Sequence, residues 1–321
     1  MTTGASRRWR AARGLVAQPD GRRGTGWHRH PPGEGSSLIA APAAAQDGVE
    51  TLTRGECDWA EPVSPVRPVA PYIGGKRGLF KRLVKIIEST PHKTYAEPFV
   101  GMGGVFFRRT LRPRSEVIND INRDIATLFR ILQRHYPQFL DTIRFQITSR
   151  AEFERLVRSD PDTLTDLERA ARFLYLQRTA FGGKVSGPSF GVSPDRPARF
   201  NLTQLEPMLE ALHERLAGVV IECLDWRAFL RRYDRPETLF YCDPPYWGCE
   251  TDYGKGVFAQ EDFAELAETL RSLRGSFVLS INDVPEIREL FSWARIEPVQ
   301  TTYTISSRAA KSAGELIISS P

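Results

Sequence analysis

The sequence has few residues of the kinds that build metal or disulfide sites. It contains 4 cysteines and 5 histidines, and neither type recurs at a ligand spacing such as CxxC. We therefore predict no metal site, and the cysteine usage indicates a reduced, cytoplasmic protein. A Ser/His/Asp or Cys/His arrangement is not evident either, so the sequence offers no sign of a covalent enzyme nucleophile.

Long apolar runs are also missing. No stretch reaches 18 consecutive apolar residues, which excludes a membrane-spanning helix. The chain of 321 residues is nevertheless 41% hydrophobic, which suits one to two domains with a substantial core. Its net charge of +5 permits nucleic-acid binding without proving it.

The most informative segment lies where a buried strand meets two prolines. Residues 237–242 are apolar and aromatic, predict a short strand, and run into the sequence DPPY at 243–246. Neither proline has a backbone N–H, so the chain leaves the sheet rigidly with its carbonyl oxygens free. The segment thus offers acceptors and one aromatic face, which suit an exocyclic amine on a stacked ring. A Pro-Pro turn that merely ends the strand is the alternative.

A second predicted strand, residues 93–99, is followed by a glycine turn and an apolar run at 105–111 that predicts a helix. This order lets a nucleotide-like ligand approach the backbone. The full GxGxxG fingerprint is not met, because its third glycine position is Phe106.

An acid follows at the spacing expected for ribose binding. Asp120 ends a third predicted strand, 116–119, and lies nineteen residues after Gly101. An acid at this place can hydrogen-bond ribose hydroxyls. An adenosyl ligand without a pyrophosphate needs these features, and S-adenosylmethionine fits. Alternatively, Asp120 is the N-cap of a helix over 121–134, and it could serve both roles.

The remaining pattern alternates strands and helices. This alternation predicts an α/β sheet with its ligand at the carboxyl ends of the strands. The last two strands are expected to pair antiparallel across a turn at 306–314. Further strands are predicted at 219–224, 276–281, 299–305 and 315–319, and further helices at 151–157, 164–179, 201–216, 260–273 and 285–292.

Four motifs occur in a fixed order along the chain: PYIGGK at 71–76, EPFVGMG at 97–103, NDIN at 119–122 and DPPY at 243–246. Together they resemble the motif series of the Dam-like (D12 class) DNA adenine-N6 methyltransferases, from about residue 71 to the C-terminus. The resemblance implies a Rossmann-like sheet that uses S-adenosylmethionine. It also implies methyl transfer to the N6 amine of an adenine flipped out of double-stranded DNA.

The resemblance also implies site residues, position by position. Tyr72 stands where the family usually has a tryptophan, and Lys76 could equally be an ordinary solvated lysine at a helix start. The Asp225-Trp226 match is short, and a plain turn at a strand end is its alternative. The implied catalytic residues are Asp243, Pro244, Pro245 and Tyr246, and the implied cofactor-binding residues are Tyr72, Lys76, Glu97, Phe99, Gly101, Gly103, Asp120, Ile121, Asp225, Trp226 and Asp243.

The resemblance divides the chain into a cofactor-binding part (66–148), a mostly helical target-recognition insert (149–215) and a catalytic part (216–321). Between residues 169 and 199 the insert has six basic residues and one acid, a net charge of +5, which predicts a phosphate-contacting surface. GATC-type members have Asn-Gly where this chain has Gly182-Gly183, so we do not infer GATC specificity. The candidate DNA contacts are Arg178, Phe181, Lys184 and Ser189, and a structural turn is the alternative for the loop residues.

Residues 1–65 differ from the rest of the chain. They lack lysine and clear periodicity and are rich in Arg, Gly, Pro, Ala and Ser, which predicts a disordered, basic N-terminal extension. The apolar core of a secretory signal is absent. Two origins stay open, namely an arm that contacts DNA and a start codon assigned too far upstream.

Two rival functions remain. One is a methyltransferase acting on RNA adenine or on a protein glutamine, although Asp243 and Lys76 favour DNA. The other is a catalytically inactive relative that binds DNA. We expect a monomer, with a weak dimer on DNA as the alternative.

Overall fold

The computed structural model describes residues 59–76, 78–183, 187–191, 197–250, 254, 256–306 and 309–321, with the backbone alone for 301–306 and 309–313. Of the extension predicted over 1–65, everything before residue 59 lies outside the described residues. The elements in chain order are β1 (Ala60–Pro62), α1 (Phe80–Glu88), β2 (Thr94–Glu97), β3 (Leu111–Pro113), β4 (Ser115–Asn119), α2 (Arg123–Arg134), α3 (Tyr136–Ile143), α4 (Arg150–Arg158), α5 (Asp166–Thr179), α6 (Leu202–Arg215), β5 (Val220–Glu222), α7 (Trp226–Tyr233), β6 (Thr238–Cys242), α8 (Asp262–Arg271), β7 (Ser276–Asn282), α9 (Pro285–Leu290), β8 (Arg295–Ser306) and β9 (Ala309–Ser319).

A seven-stranded sheet has the order β5-β4-β2-β6-β7-β9-β8, which confirms the predicted α/β class. The strands from β5 to β7 pair in parallel, whereas β9 and β8 close the sheet as antiparallel strands. The chain passes from β2 outward to β4 and β5, and then returns to β6 on the other side of β2. Strand order therefore reverses between β2 and β6. Open parallel sheets bind ligands at such a switch point, beyond the carboxyl ends of the strands.

The central strands are buried on both faces, which explains their apolar sequences. In β6, Leu239 and Tyr241 pack into the core beneath α1 to α6, whereas Phe240 and Cys242 pack into the core beneath α7 to α9. Successive strand side chains point to opposite faces, so a strand between two helical layers needs apolar residues at every position. The strand is thereby fixed in register, and its carboxyl end holds Asp243 at the sheet edge.

The helix predicted over 105–111 is wrong. The chain makes a single 3-10 turn, Phe106–Arg108, and then forms β3, which pairs antiparallel with β1. Phe106 and Phe107 are both fully buried, so the apolar run fills the core from a turn instead of presenting one helix face. A short apolar run does not by itself distinguish these outcomes.

The N-cap role of Asp120 is also wrong, because α2 begins later than expected. Its N-cap is Asn122, whose side chain accepts a hydrogen bond from the backbone N–H of Asp124 at 2.9 Å. Asp120 lies two residues before this N-cap, at the carboxyl end of β4.

The predicted turn at 306–314 is much shorter than expected. β8 continues to Ser306 and β9 starts at Ala309, and the pairing runs from Arg295 opposite Ser319 to Ser306 opposite Ala309. The threonine-rich end of β8 suits an extended conformation, which lengthens the hairpin beyond the apolar residues that marked it.

A buried ionic cluster joins the last helix of the insert to the start of the sheet. Glu116 on β4 accepts hydrogen bonds from Arg215 at the end of α6 at 2.6 and 2.7 Å, and from Arg109. Arg112 also reaches this carboxylate, at 3.1 Å. The side chains of Arg109 and Arg215 are each 1% exposed, so a single carboxylate balances buried cations.

The insert is also held to the segment that carries the first motif. Arg178 on α5 donates to the backbone carbonyls of Val69 at 2.9 Å and Arg199 at 2.7 Å. Gly183 has a φ of 69°, and a Cβ there would lie 3.0 Å from the backbone of Pro71. We call this contact between 178–183 and 69–72 the insert seam.

Candidate active site

Three acidic side chains meet at the carboxyl ends of adjacent parallel strands. Glu97 ends β2, Asp120 follows β4, and Asp243 follows β6. Burial raises the pKa of Glu97 to about 8 and those of Asp120 and Asp243 to about 6. The charges of Asp243 and Asp120 contribute to the shift of Glu97, which shows that the three groups share one environment. Such a site favours cations and hydrogen-bond donors.

Glu97 is buried, and its burial favours the protonated form of the carboxyl group. The Tyr95 hydroxyl donates to its Oε2 at 2.7 Å, which partly offsets the cost of burying this carboxyl group. The motif predicted Glu97 as a cofactor-binding residue. Its raised pKa makes it an acid that a ligand ammonium would ionise on binding.

The glycine turn after β2 is shaped by close contacts. Gly101 has a φ of 50° and Gly103 a φ of 70°, conformations that favour glycine. A Cβ on Gly101 would lie 3.1 Å from the Tyr72 ring, and one on Gly103 only 2.3 Å from Phe107. The turn therefore packs directly against Tyr72, the aromatic residue of the first motif, and the role of Tyr72 in cofactor binding stays a prediction.

Asp120 organises this turn through both carboxylate oxygens. Its Oδ2 accepts from the Gly101 N–H at 2.9 Å and its Oδ1 from the Asn122 N–H at 2.9 Å. The acid predicted to bind ribose thus also sets the shape of the glycine turn. Ile121, the next residue, is 44% exposed at the same edge.

Asn119 is a site residue that the sequence analysis did not identify. Its Nδ2 donates to the carbonyls of Pro98 at 2.9 Å and Leu224 at 3.0 Å, and its Oδ1 accepts from the Leu224 N–H at 2.8 Å. One buried amide thus ties together the loops that follow β2, β4 and β5. Its position at the end of β4 was the signal that could have revealed it.

Asp225 and Trp226 have different surroundings. Asp225 is the N-cap of α7 and pairs with Arg227 at 3.2 Å. These contacts are the ones expected from the alternative, a plain turn at a strand end. Trp226 is buried and lies near Phe99 and Phe258, with ring centroids 6.5 and 6.3 Å away. Within the described part of the chain, its buried Nε1 has no hydrogen-bond partner. The structure thus brings Phe99 and Trp226 together as an aromatic wall.

A buried lysine of the first motif reaches the DPPY loop. Lys76 is 3% exposed, so the solvated alternative is wrong. Its Nζ lies 2.6 Å from Asp243 Oδ1, donates to the Tyr246 hydroxyl at 2.8 Å and to the Gly74 carbonyl at 3.2 Å. It also lies 4.5 Å from the centre of the Tyr246 ring. The first motif therefore contacts the predicted catalytic residues through Lys76 and the glycine turn through Tyr72.

Asp243 has one oxygen held by the protein. Ser280 on β7 donates to Oδ1 at 3.3 Å, the same oxygen that Lys76 binds. The Ser280 hydroxyl is itself 2.8 Å from the Tyr241 hydroxyl. Oδ2 accepts no hydrogen bond from the described residues, which leaves it available to a ligand. Burial raises the pKa of Asp243, and Lys76 and Ser280 oppose that shift.

Not every described basic residue of the insert lies on the surface. Arg169 is buried and pairs with Asp124 at 2.5 Å and Asp162 at 2.8 Å, so its predicted place on a phosphate-contacting surface is wrong. The guanidinium of Arg178 is engaged in the insert seam. Its side chain therefore serves the fold, and its contact with DNA stays a prediction.

The other DNA candidates lie on the loop after α5. Phe181 is 55% exposed, and its N–H donates to the carbonyl of the exposed Ser189 at 2.8 Å, across an antiparallel bridge between Ala180 and Phe190. Lys184 lies outside the described residues.

Where the structure describes the chain, no helix is long and apolar enough to cross a membrane.

The buried acids lead to a pH-dependent stability prediction. Burial raises the pKa of Glu97 from 4.5 to about 8, so its proton is held more tightly in the folded state. The associated stability is present below pH 4.5 and is lost as the pH rises to about 8. We expect Glu97→Gln to become more stable than the wild type by about 1 kcal/mol per pH unit across this window.

Urea unfolding between pH 5 and 9 measures this difference. The exposed Glu61→Gln is the matched control and should follow the wild type at every pH. A stability difference between Glu97→Gln and the wild type that does not change with pH would contradict the assignment.

The geometry defines a class of protein before any comparison. A glycine turn with a trailing acid, at the switch point of a mainly parallel sheet, is typical of Rossmann-like nucleoside-binding enzymes. The acceptor loop beside it suits transfer to an amine.

The family model for D12 class N6 adenine-specific DNA methyltransferases matches residues 72–305, and the chain belongs to this family. Its function is that of a DNA adenine methyltransferase, and the family implies a methyl donor.

Characterised relatives agree with this. The chain is 26% identical over 264 residues to the type II methyltransferase M1.LlaDCHI of Lactococcus lactis subsp. cremoris, covering 76% of this chain and 91% of that protein. It is 29% identical over 239 residues to the DNA adenine methylase of Salmonella typhi, covering 69% and 84%. With the DNA N-6-adenine-methyltransferase of Escherichia phage P1 it shares 29% identity over 293 residues, covering 85% of this chain and 37% of the phage protein.

Proposed function

We propose that this protein transfers a methyl group from S-adenosylmethionine to the N6 amine of an adenine flipped out of double-stranded DNA. The observation that carries the proposal is the DPPY loop with its buried prolines, in which Lys76 holds Asp243 at 2.6 Å through Oδ1, while Oδ2 accepts no hydrogen bond from the described residues. An acceptor and an aromatic ring beside a nucleoside-type turn suit an aminopurine. The proposed DNA substrate also agrees with the predicted cytoplasmic location.

The residues present fit S-adenosylmethionine. The glycine turn follows the carboxyl end of β2, and Asp120, which accepts from the Gly101 N–H, lies where ribose hydroxyls are expected. The aromatic wall offers a stacking surface and a buried Trp226 Nε1 without a partner among the described residues. Glu97 would meet the amino group of the methionine portion. When bound, this cofactor supplies a methyl group activated by its positively charged sulfur.

The protein must overcome the poor nucleophilicity of N6, whose lone pair is delocalised into the ring. We assign Oδ2 of Asp243 and the Pro244 carbonyl as acceptors for the two N6 hydrogens. Hydrogen bonds to both favour a pyramidal nitrogen and so localise the lone pair. S-adenosylmethionine would supply the methyl group, with its sulfur as the leaving group, and Asp243 would accept the N6 proton that the new nitrogen–carbon bond releases. A pKa of about 6 suits this group to accept a proton near neutral pH.

Base flipping follows from the position of the acceptors. Asp243 lies at the sheet edge beside buried prolines, and an adenine inside a duplex cannot reach it. Unstacking a base costs a few kcal/mol, which stacking on Tyr246 would partly offset. Tyr246 is therefore proposed as the platform for the flipped base, with Pro245 keeping the loop rigid.

The test is transfer of tritium from labelled S-adenosylmethionine to unmethylated DNA, followed by nucleoside analysis and mapping of the modified sites. We expect the label in N6-methyladenine, at a defined sequence. RNA and glutamine-containing protein serve as rival substrates in parallel reactions. Label in either rival but not in DNA, or cofactor binding without any transfer, would overturn the proposal.

A further inference from the structure

The closing strands of the sheet bring two further side chains to the DPPY loop. Asn282 ends β7, and Glu315 lies directly opposite it on β9 in the antiparallel register. Paired residues of an antiparallel ladder place their side chains on the same face of the sheet. Both side chains therefore face the same loop.

Asn282 holds the backbone immediately after the stacking ring. Its Oδ1 accepts from the Trp247 N–H at 2.9 Å, and its Nδ2 donates to the Trp247 carbonyl at 3.1 Å. Two hydrogen bonds to one residue restrain both its position and its orientation. The chain leaving Tyr246 is thereby fixed to the sheet.

Glu315 holds the ring itself. It is completely buried, and its carboxylate is hydrogen-bonded to the Tyr246 hydroxyl. The same hydroxyl accepts a hydrogen bond from Lys76 at 2.8 Å. A lysine ammonium can only donate, so the Tyr246 proton points to Glu315. The phenol is thus fixed between a cation on one side and a carboxylate on the other.

Burying a carboxylate beside an aromatic ring lowers the stability of the folded protein unless the charge is paired and hydrogen-bonded. Glu315 stands next to Asp243 and adds to its raised pKa, an unfavourable arrangement for stability alone. Charge-assisted hydrogen bonds, in contrast, orient side chains strongly. The cost is explained if the orientation of Tyr246 matters to the reaction.

We propose that Glu315 is a positioning residue for methyl transfer, which fixes the Tyr246 ring so that the flipped adenine enters a preformed slot against Asp243. The inference rests on the proposed function. Asn282 assists by holding Trp247. The positioning role is exerted through the Tyr246 hydroxyl, and the kinetics are compared at a pH well above the Asp243 pKa of about 6, so that the charge of Glu315 does not alter the ionisation of Asp243.

The experiment is a double-mutant cycle with Glu315→Gln and Tyr246→Phe. We expect Glu315→Gln to lower kcat/KM for DNA about 10-fold, since one oriented hydrogen bond to a charged group is lost. In the Tyr246→Phe background the same substitution should change kcat/KM less than about 2-fold, because the hydroxyl it acts on is gone. Fluorescence of 2-aminopurine at the target site should report weaker base capture in each single variant.

Controls separate this role from a structural one. Glu286→Gln, on the exposed start of α9, should match the wild type, and S-adenosylmethionine binding by calorimetry should be unchanged in Glu315→Gln. An equal loss in both backgrounds, or wild-type kinetics in Glu315→Gln, would overturn the proposal. If Glu315→Gln does not fold, the nearly isosteric Tyr246→Phe must reproduce the loss alone. Absence of methyladenine from the wild type would instead reject the proposed function.

Discussion

Replacement of Asp243 by alanine is expected to abolish methyl transfer, with a fall in turnover of at least about 1000-fold. The reason is the loss of Oδ2, the carboxylate oxygen that accepts no hydrogen bond from the described residues and that we assign to the substrate amine. Lys76 would also lose its carboxylate partner, so its ammonium would carry an unbalanced charge into the site. Single-turnover methylation of DNA measures the effect directly.

Asp243→Asn separates charge from shape. Its amide has the size of the carboxylate, but its NH2 group cannot accept from N6, so we expect a similarly inactive enzyme. Binding of S-adenosylmethionine should be weakened but present in both variants, because Gly101 and Asp120 remain in place. Near-normal turnover in either variant would reject the assigned mechanism.

The same carboxylate determines the acid limb of the pH profile. With its pKa raised to about 6 by burial, Asp243 is protonated below that pH and no longer accepts from N6, so kcat/KM should fall there. The charge of Lys76 lowers this pKa. Lys76→Met should therefore shift the acid limb to higher pH, and an unmoved limb would show that another group titrates.

Replacement of Glu116 by alanine is expected to destabilise the folded protein by about 3–5 kcal/mol, the usual result of removing one partner from a buried ion pair. The Glu116 carboxylate is shared by Arg109, Arg112 and Arg215. Two of the hydrogen bonds that it accepts come from Arg215. Its removal leaves buried guanidinium groups without a counter-charge. Equilibrium unfolding in urea gives the free-energy difference.

The pH dependence of this cluster has a defined sign. Burial would raise the pKa of Glu116, but the Arg215 hydrogen bonds and the Arg109 charge lower it below its usual value. The stabilisation is therefore present at neutral pH and is lost only as the pH falls below the ordinary carboxyl range. Glu237→Ala is the control, since its pair with Lys93 is exposed on both sides and is worth at most about 1 kcal/mol. Equal effects of the two substitutions would contradict the role of burial.

Much of the sheet could be predicted because its strands are short apolar runs that end at turn residues. β6 ends at Cys242, directly before Asp243, as its sequence indicated, and β2 ends at Glu97 before the glycine turn. The DPPY loop was identified for the same local reason, since prolines and a carboxylate define acceptors without any knowledge of the fold.

What the sequence did not reveal depends on contacts between distant segments. The motif placed Lys76 near the cofactor, yet only the packing of the first motif against β6 brings its ammonium to Asp243. Asn119 and Glu315 looked like ordinary strand-end residues until the strands were aligned. The helix predicted at 105–111 was wrong because an apolar run of that length fits a turn, a strand or a helix.

The insert seam limits how the specificity of this enzyme can be re-engineered. A hybrid made by grafting a relative's segment over 149–215 must preserve glycine at position 183, since any side chain there would meet the Pro71 backbone at 3.0 Å. It must also supply a guanidinium in place of Arg178 to cap the Val69 carbonyl. A donor segment is therefore compatible only if it preserves the insert seam. A donor chosen for its preferred DNA sequence alone would disturb residues 69–72, which precede Lys76.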